Sequence, residues 1–457
     1  MDLKAPRKYW IFFSFLACYF LLAGIFNQFH DVWWDEASYL GMGKYIYSSG
    51  SIGVFEPVKA IGLPLIFGFG WRIGLDIIIF SKIIIFLSAF FSMLFVYLIG
   101  KEVFDSKTGI FASLLLLFNA LFLVFMFRAY TEIPSICLFL GGVYFLKKYS
   151  FLSALFLALL CMVKYTNVFA LIPVNLYLIY HCYKNKEIMP FISFNLFFLL
   201  FASPFLIANY VVFDSPLYLV NQLQDSFSRD LGSVYSFEAY PLPKLFFESS
   251  IWIYLKTIFY LFNFSLPFIF IGAGKLLKDY KKFILIVISA IIFLGFFEMN
   301  YLKQERYIMI AFPFLSLLAG WQLSKMKDKI AYIILGLFIL INLGIAIYNL
   351  SVMSGEQSYY AFFMNSNISC NNVSTSDPRT ALNYRTNFPY ELFDSRWEEK
   401  WILKDNPECI FFFSCYERRG EIIKRLNELG YKNEIEKNTG RCLYSVFKNS
   451  IMEHRNQ

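Results

Sequence analysis

The sequence predicts an α-helical, polytopic membrane protein that ends in a small soluble α/β domain. Of its 457 residues, 58% are hydrophobic and only 16% are charged, whereas a soluble domain carries roughly a quarter charged residues. Long uncharged apolar runs continue to about residue 352, and beyond that point the composition becomes that of a soluble domain. We therefore divide the chain into a transmembrane domain, residues 1–352, and a C-terminal domain, residues 353–457.

The uncharged runs and the charges between them predict about eleven membrane spans. A helix needs roughly 20 residues to cross the hydrocarbon core, at about 1.5 Å per residue. Residues 151–183 would be about 50 Å long as one helix, so we place a break at Lys164 and predict two spans there. The predicted spans are residues 10–29, 78–100, 108–127, 132–146, 150–163, 165–182, 188–213, 252–273, 283–298, 306–324 and 330–351.

The loop charges predict the orientation of the chain. Loops on the N-terminal side of the membrane contain sixteen basic and six acidic residues, and basic residues collect on the cytoplasmic side. The net charge of +8 lies in the membrane domain, because residues 351–457 hold fourteen basic and fourteen acidic side chains. This distribution predicts a multi-pass protein of the cell membrane with a cytoplasmic N-terminus and an extracytoplasmic C-terminal domain. It argues against nucleic-acid binding.

Two long outer loops are predicted, at residues 31–76 and 214–250. Within the first, residues 36–49 have the spacing of a helix that lies along the membrane surface. Residues 61–71 are apolar but too few to span the bilayer, so they predict an interfacial or re-entrant segment.

The C-terminal domain is predicted to contain both strands and a helix. Residues 372–376, 410–414 and 442–447 predict strands, and residues 417–429 have helical spacing that Gly430 ends. Four cysteines lie in this domain, on the side of the membrane where disulfides persist. They allow three pairings, between which the sequence does not choose: Cys370, Cys409, Cys415 and Cys442.

Ionisable residues gather at the outer ends of the predicted spans, although they come from distant parts of the chain. Charges at membrane depth are costly and indicate functional sites. The predicted topology brings these residues to one face of the membrane, where they indicate a binding or catalytic site. They are Asp35, Glu36, Glu56, Lys59, Arg128, Glu132, Lys164, Lys303, Glu305 and Arg306.

The acidic candidates have both a chemical and a structural interpretation. Asp35 is suited to accept a proton from a hydroxyl nucleophile, but Asp35 and Glu36 also fit the start of the following helix. Glu56 suits a sugar amine, a hydroxyl or a divalent ion and Lys59 a phosphate, or the two form a surface pair. Glu132 is either a substrate carboxylate or the first-turn acid of the next span.

The basic candidates suit a phosphate group. A guanidinium at the depth of Arg128 matches a phosphate. Arg306, assisted by Lys303, is able to neutralise a phosphate leaving group, with interfacial anchoring as the alternative. Lys164 and Tyr165 either contact substrate or place a lysine at the interface. The sequence contains no His-based catalytic or zinc pattern and no glycine-rich phosphate loop.

The membrane domain resembles the integral-membrane glycosyltransferases of the C-type fold, in the branch that contains protein mannosyltransferases and lipid A aminoarabinose transferases. The resemblance covers residues 10–350, where five segments keep the family's order and topology. These segments are WWDEASYL (33–40), FEPVKAIGLPL (55–65), FRAYTEIPS (127–135), VKYTNVFALIP (163–173) and KQERYIMIAFPFLSLLAG (303–320). The His-Pro-Pro loop and the inserted sugar-binding repeats of true protein mannosyltransferases are missing.

The resemblance implies roles for individual residues. Asp35 and Glu36 match the family's first-loop acidic pair, which implies that Asp35 is the base or the carboxylate that orients substrate. Arg128 and Glu132 match the family arginine and the second acidic position. Arg306 resembles the arginine that opens a late helix, which implies a contact with the donor phosphate.

These observations predict transfer of a sugar from a polyisoprenyl-phosphate donor to a protein, lipid or glycan acceptor, by a single inverting displacement. No cofactor is obligatory, although two carboxylates beside a phosphate are able to hold Mg²⁺ or Mn²⁺. The alternatives are a transporter or flippase of lipid-linked saccharides and a non-catalytic membrane receptor. A transporter site is expected near the bilayer midplane, between internal repeats, so the sequence favours the enzyme.

Overall fold

The computed structural model of the protein describes residues 32–56, 59–218, 235–236, 253–278, 285, 289, 292, 302–303, 305–353, 373–375, 386–387, 408–414, 419–438 and 443–449. These residues are mostly helical, with a small sheet in the C-terminal domain. The predicted span at 10–29 lies outside the described residues, as do most of 283–298 and most of the loop 214–250.

The membrane domain consists of apolar helices that follow one another along the chain. The bounds are α1 (Trp34–Tyr47), α2 (Gly62–Arg72), α3 (Ile77–Val103), α4 (Ser106–Leu117), α5 (Ala120–Phe125), α6 (Glu132–Phe145), α7 (Ser150–Val163), α8 (Leu171–Asn185), α9 (Met189–Phe213), α10 (Ile253–Phe262), α11 (Leu266–Lys278), α12 (Phe312–Ser324) and α13 (Asp328–Met353). Among the described residues, four helical segments are long and apolar enough to cross a membrane, at 77–103, 189–211, 305–324 and 328–350, and α4, α6 and α7 are shorter apolar helices. The prediction of a polytopic helical membrane protein is confirmed.

The central helical segment is 305–324, which begins as a 3-10 helix (Glu305–Ala311) and continues as α12. In its apolar stretch 89% of the residues are buried, against 17% in α9. Helices α9 and α13 instead expose apolar side chains along their length, as expected for surfaces that face lipid. The start of the central segment is therefore held firmly by its surroundings, and Arg306 lies there.

Several spans predicted as continuous are broken. The span at 108–127 divides into α4 and α5 at Asn119, and the one at 252–273 is interrupted by a 3-10 turn at Asn263–Ser265. The break predicted at Lys164 is confirmed, because α7 ends at Val163 and Lys164 has extended backbone before a 3-10 helix (Tyr165–Ala170).

The break between α4 and α5 leaves backbone donors inside an apolar interior, where each must find a partner. The side chain of Asn119 accepts a hydrogen bond from the N–H of Leu121, at 3.2 Å. The side chain of Asn342, on α13, accepts one from the N–H of Ala120, at 2.9 Å. Two amide side chains thus replace the missing helical bonds.

Helices α1 and α2 pack against each other at very short distance. A Cβ atom added at Gly68 would lie 2.4 Å from the carbonyl oxygen of Gly43, so only glycine fits this crossing. The first half of α1 is buried, including Ala37 and Leu40. The helix predicted at 36–49 is therefore present as α1 and is covered by α2 and the core, and its orientation along the membrane surface stays a prediction.

The C-terminal domain contains a five-stranded mixed sheet and one helix. Two short strands precede this domain in the chain and form a separate parallel pair, β1 (Tyr235–Ser236) and β2 (Leu302–Lys303). The elements of the C-terminal domain are β3 (Val373–Thr375), β4 (Thr386–Asn387), β5 (Cys409–Ser414), α14 (Arg419–Glu428), β6 (Tyr431–Asn438) and β7 (Leu443–Asn449). The strand order is β4-β3-β5-β7-β6. Strand β3 is parallel to β4 and β5, and β7 is antiparallel to β5 and β6. The three predicted strands and the helix are present. Cys409 is disulfide-bonded, and the other three tail cysteines lie outside the described residues.

The helix break makes a testable prediction about stability. Replacing Asn342 by Leu removes the acceptor and leaves the buried N–H of Ala120 without that bond, which costs about 1–3 kcal/mol. We expect a lower melting temperature for the purified protein in detergent. Asn185→Leu, at an exposed position on α8, serves as the control and should change stability by less than about 0.5 kcal/mol. Equal melting temperatures for the two variants would contradict this account of the break.

Candidate active site

Six ionisable side chains from five segments of the chain meet at one end of the helix bundle. We call them the charge cluster. Each lies where a helix begins or ends or in a connecting segment, so the backbone fixes its position. The cluster consists of Asp35 (first turn of α1), Glu56 and Lys59 (between α1 and α2), Glu132 (first residue of α6), Lys164 (after α7) and Arg306 (3-10 helix before α12).

Asp35 occupies the centre of the charge cluster. The ammonium of Lys59 donates a hydrogen bond to its Oδ1 at 2.8 Å. The guanidinium of Arg306 donates one to its Oδ2 at 2.6 Å. Both carboxylate oxygens therefore carry a charge-assisted bond, which is stronger than a bond between neutral groups.

The pairing continues outward from Asp35 on both sides. Lys59 also lies 3.2 Å from Oε2 of Glu56. Arg306 Nε lies 3.7 Å from Oε1 of Glu132, and Lys164 donates to the same oxygen at 3.1 Å. The cluster is thus a chain of alternating charges, from Glu56 at one end to Lys164 at the other, with three acids and three bases.

Asp35 is the most accessible acid of the charge cluster. Its side chain is 25% exposed, whereas the side chains of Glu56 and Glu132 are 12% and 4% exposed. Asp35 is therefore the acid of the cluster that an incoming molecule reaches most easily, whereas the three cations are similarly exposed, at 12–16%.

The two cations hold the pKa of Asp35 well below its usual range. Burial by itself would raise this pKa, because it disfavours the charged form, but Lys59 and Arg306 outweigh that effect. Burial would likewise lower the pKa of Lys59, and the carboxylates of Asp35 and Glu56 raise it instead. Asp35 and Lys59 are therefore both ionised at neutral pH.

Aromatic rings line the charge cluster beside its cations. Lys59 lies 5.1 Å from the ring centre of Tyr39, and Lys164 lies 4.6 Å from that of Tyr307. The guanidinium carbon of Arg306 lies 4.9 Å from the ring of Tyr130 and 5.4 Å from that of Tyr307. Cations at these distances are attracted to the ring faces. Sequence reasoning assigned no site role to Tyr39 or Tyr130, although Tyr130 lies between two predicted site residues.

Arg128 and Glu36 form a second pair, buried beneath the charge cluster. Arg128 Nη1 lies 3.9 Å from Oε2 of Glu36, and the guanidinium carbon lies 3.6 Å from the ring centre of Trp33. Glu36 also accepts hydrogen bonds from the backbone N–H groups of Trp33, at 3.1 Å, and Ala129, at 3.0 Å. Arg128 is 1% exposed and Glu36 fully buried.

This buried pair changes the interpretation of two predicted site residues. Glu36 holds the start of α1 and joins it to the turn before α6, as the first-turn interpretation of the sequence expected. Arg128 is buried against Glu36 and Trp33 inside the protein, whereas Asp35 is partly exposed. The contacts of Glu36 join the start of α1, which carries Asp35, to the segment 128–131 that leads into Glu132.

Two predicted site residues, Lys303 and Tyr165, are not part of the charge cluster as defined above. The backbone of Lys303 forms β2, and its side chain lies outside the described part. Tyr165 is half-buried beside Lys164, at the start of the 3-10 helix. Among the residues that the structure describes, no three side chains of His, Cys, Asp or Glu are grouped as ligands of a metal ion.

One family model and several solved structures resemble this chain. The family model described as dolichyl-phosphate-mannose-protein mannosyltransferase matches residues 60–207. No curated protein matches the sequence.

Crystal structures of ArnT from Cupriavidus metallidurans are similar over nearly the whole chain. The form bound to undecaprenyl phosphate has a TM-score of 0.67 at 11% identity and covers 96% of this chain and 98% of ArnT. The apo form has a TM-score of 0.66 at 11% identity and covers 98% and 99%. The archaeal oligosaccharyltransferase AglB from Archaeoglobus fulgidus, in complex with an inhibitory peptide and a dolichol-phosphate, has a TM-score of 0.54 at 12% identity, with 98% of this chain and 75% of AglB covered. The resemblance inferred from the sequence is confirmed at the level of the fold.

The buried pair of Glu36 and Arg128 predicts a large coupling energy. Removing one partner leaves an uncompensated buried charge, so Arg128→Met should cost about 3–5 kcal/mol in the free energy of unfolding. The double variant with Glu36→Gln should cost less than the sum of the two single changes. Unfolding in detergent measures this, with the exposed pair Glu102–Lys148 as control, whose coupling should be under about 1 kcal/mol. Additive effects at Glu36 and Arg128 would contradict the pairing.

The lowered pKa of Asp35 predicts how stability depends on pH. A carboxylate with a lowered folded pKa stabilises the fold above its unfolded pKa of about 3.9, and this stabilisation is lost as the pH falls through the folded value. We expect Asp35→Asn to lower the melting temperature by a constant amount between about pH 5 and 8, with a smaller difference in more acidic solution. Asp214→Asn, at an exposed position, should have little effect throughout. A difference that grows towards acid pH would show that the pairing of Asp35 is not as described.

Proposed function

The chain has the fold of the C-type glycosyltransferases, and we propose that it transfers a sugar from a polyisoprenyl-phosphate donor to an acceptor at the outer face of the membrane. The observation that carries this proposal is the position of Asp35, an accessible carboxylate between two cations, at one end of an apolar helix bundle. An amphiphilic donor needs these parts together: apolar helices for its lipid, cations for its phosphate and a carboxylate for the acceptor proton.

The donor phosphate binds at Lys59 and Arg306 in this proposal, with Lys164 and Lys303 as further cations. Lys59 and Arg306 are the cations next to the accessible acid, and aromatic rings lie beside both of them. Their charges already have partners, so the phosphate must compete with Asp35 and Glu132 for them. The structures of ArnT with undecaprenyl phosphate and of AglB with a dolichol-phosphate support a lipid phosphate as the ligand class.

The proposed reaction is a single displacement with inversion. The oxygen of the acceptor hydroxyl attacks the anomeric carbon of the donor sugar and forms the new glycosidic bond. The bond from that carbon to the phosphate oxygen breaks, and the polyisoprenyl phosphate leaves with the bonding electrons. Asp35 takes the proton of the hydroxyl, and Lys59 and Arg306 stabilise the charge that develops on the leaving phosphate.

Donor binding would also make Asp35 a better base. A carboxylate with a strongly lowered pKa accepts protons poorly, because general-base catalysis works best when the pKa lies near the working pH. A phosphate that draws Lys59 and Arg306 towards itself weakens their hold on Asp35 and raises its pKa. Proton transfer would then follow donor binding, which limits wasteful activation of acceptors.

The other acidic residues have supporting roles in the proposal. Glu132 holds Lys164 and the Nε of Arg306, and Glu56 holds Lys59 and contacts the sugar or the acceptor in this proposal. The carboxylates of the cluster each face an ammonium or guanidinium group, which does not suit Mg²⁺ or Mn²⁺ as a ligand set. The proposed reaction therefore contains no metal step.

The transfer reaction tests this proposal directly. The purified full chain is incubated with a radiolabelled polyprenyl-phosphate sugar in membranes that contain the acceptors, and the label in products is measured. We expect Asp35→Asn to lower transfer by about 100-fold or more, because a positioned base contributes about 10²–10⁴-fold. Asp214→Asn is the matched control, because Asp214 is exposed and its positive φ of 53° suits asparagine. Full activity of the Asp35 variant would remove this residue from the role of base.

The same preparation separates the enzyme from its alternatives. Movement of the labelled lipid across vesicle membranes without transfer would indicate a flippase. Neither movement nor transfer would indicate a receptor. Lys59→Met and Arg306→Met should weaken binding of undecaprenyl phosphate, whereas undecaprenol, which lacks the phosphate, should bind wild type and variants equally poorly.

A further inference from the structure

A surface cavity with mixed polar and apolar lining lies at the other end of α1, apart from the charge cluster. It is shallow and widely open to the outside, and its volume of about 370 Å³ is within the range of small-molecule sites. Its lining combines one cation, one anion, an indole ring and apolar groups: Lys44, Trp71, Gly74, Leu75, Asp76 and Ile77. Lys44 is nine residues from Asp35 on the same helix, a distance of about 14 Å.

The charged groups of this cavity suit a zwitterion. Lys44 is half-buried, and its ammonium lies 5.7 Å from the ring centre of Trp71. Burial lowers the pKa of Lys44, and the carboxylate of Asp76 opposes that effect, so the two charges act on each other across the cavity. Asp76 caps α3 with one oxygen, which accepts from the N–H of Ile79 at 2.8 Å.

The surroundings of the cavity suit an acyl chain. Two apolar residues close in the chain to its lining, Phe69 and Ile73, are exposed. Below it, α3 exposes a row of apolar side chains at every fourth position, which share one face of the helix. The row begins three residues after Asp76 and runs for about 18 Å along the helix: Ile79, Ile83, Leu87 and Phe91.

We propose that this cavity binds the head group of a bilayer phospholipid that carries a primary amine, such as phosphatidylethanolamine. Its phosphodiester contacts Lys44, and its ammonium contacts Asp76. The glycerol lies beside Trp71, whose indole belongs at the interface, and one acyl chain follows the exposed row on α3. The apolar row begins within one turn of Asp76 on the same helix, which favours a lipid over a water-soluble phosphate, because a lipid also has an apolar part to follow that row.

The site would serve as an anchor for the paired helices. Helices α1 and α2 form the walls of the cavity, and α1 also carries Asp35. A lipid bound between Lys44 and Asp76 would tie α1 and the end of α2 to the start of α3. The proposal does not depend on the sugar-transfer reaction, and its test measures lipid binding alone.

Native mass spectrometry of the purified full chain tests the proposal. Phosphatidylethanolamine, phosphatidylglycerol and phosphatidylcholine with identical acyl chains are titrated separately, and the dissociation constant of the first bound lipid is measured. We expect phosphatidylethanolamine to bind at least about fivefold more tightly than the other two. Lys44→Met should weaken the binding of all three lipids, because each has a phosphodiester. Asp76→Asn should abolish only the preference for phosphatidylethanolamine, since asparagine still caps a helix.

Lys184→Met is the matched control, because Lys184 is an exposed lysine in the last turn of α8, outside the cavity. It should leave all three dissociation constants unchanged. Lys44→Arg, which keeps the charge, should retain binding and shows that a loss in Lys44→Met is not a folding defect. Equal affinities for the three lipids, or affinities that neither Lys44→Met nor Asp76→Asn changes, would overturn the proposal and leave only general contact with lipid.

Discussion

The candidate site depends on the two ion pairs that Asp35 forms, one with Lys59 and one with Arg306. It joins the first turn of α1, the segment before α2 and the start of the most buried membrane helix. Charges at membrane depth are costly unless they are paired and hydrogen-bonded. The alternating order of the cluster meets this requirement, because every acid in it has a base as its neighbour. Each of these charges is therefore buried only together with a partner of opposite sign, and the partners come from five segments of the chain.

The charge cluster holds as many acids as bases, so an anion binds its cations by exchange with the carboxylates. The cations Lys59 and Arg306 are ionised and desolvated before any ligand arrives, and their partners are carboxylates that a phosphate is able to replace. In the proposed reaction this exchange releases Asp35 at the moment when a base is needed. The site would thus hold its base in an inactive state through the same cations that recognise the donor.

The adjacent acids Asp35 and Glu36 lie in the same helical turn but have different surroundings. Successive residues on a helix point about 100° apart, so Asp35 faces the open cluster while Glu36 faces the interior. Glu36 meets Arg128 and two backbone N–H groups there. A buried carboxylate with these partners fixes the start of α1, and this fixes Asp35. In this pair, Asp35 is the accessible carboxylate, and Glu36 holds the helix start on which Asp35 lies.

The sequence by itself determined the class of fold, because uncharged runs of about twenty residues have one stable arrangement in a bilayer. It also determined the break at Lys164, since a helix of that length would not fit the hydrocarbon core, and the set of ionisable residues worth examining. The breaks at Asn119 and Asn263 were not predictable, because the partners that satisfy the freed backbone groups, such as Asn342, come from distant helices.

Only the tertiary structure decided which charge meets which. Arg128 and Arg306 have the same chemistry and similar positions at the ends of spans, yet one is buried against Glu36 and the other holds Asp35. Spacing along the chain describes neighbours on one helix, whereas these contacts join residues up to 271 positions apart. Their distances depend on how the helices pack, and that packing is a property of the whole fold.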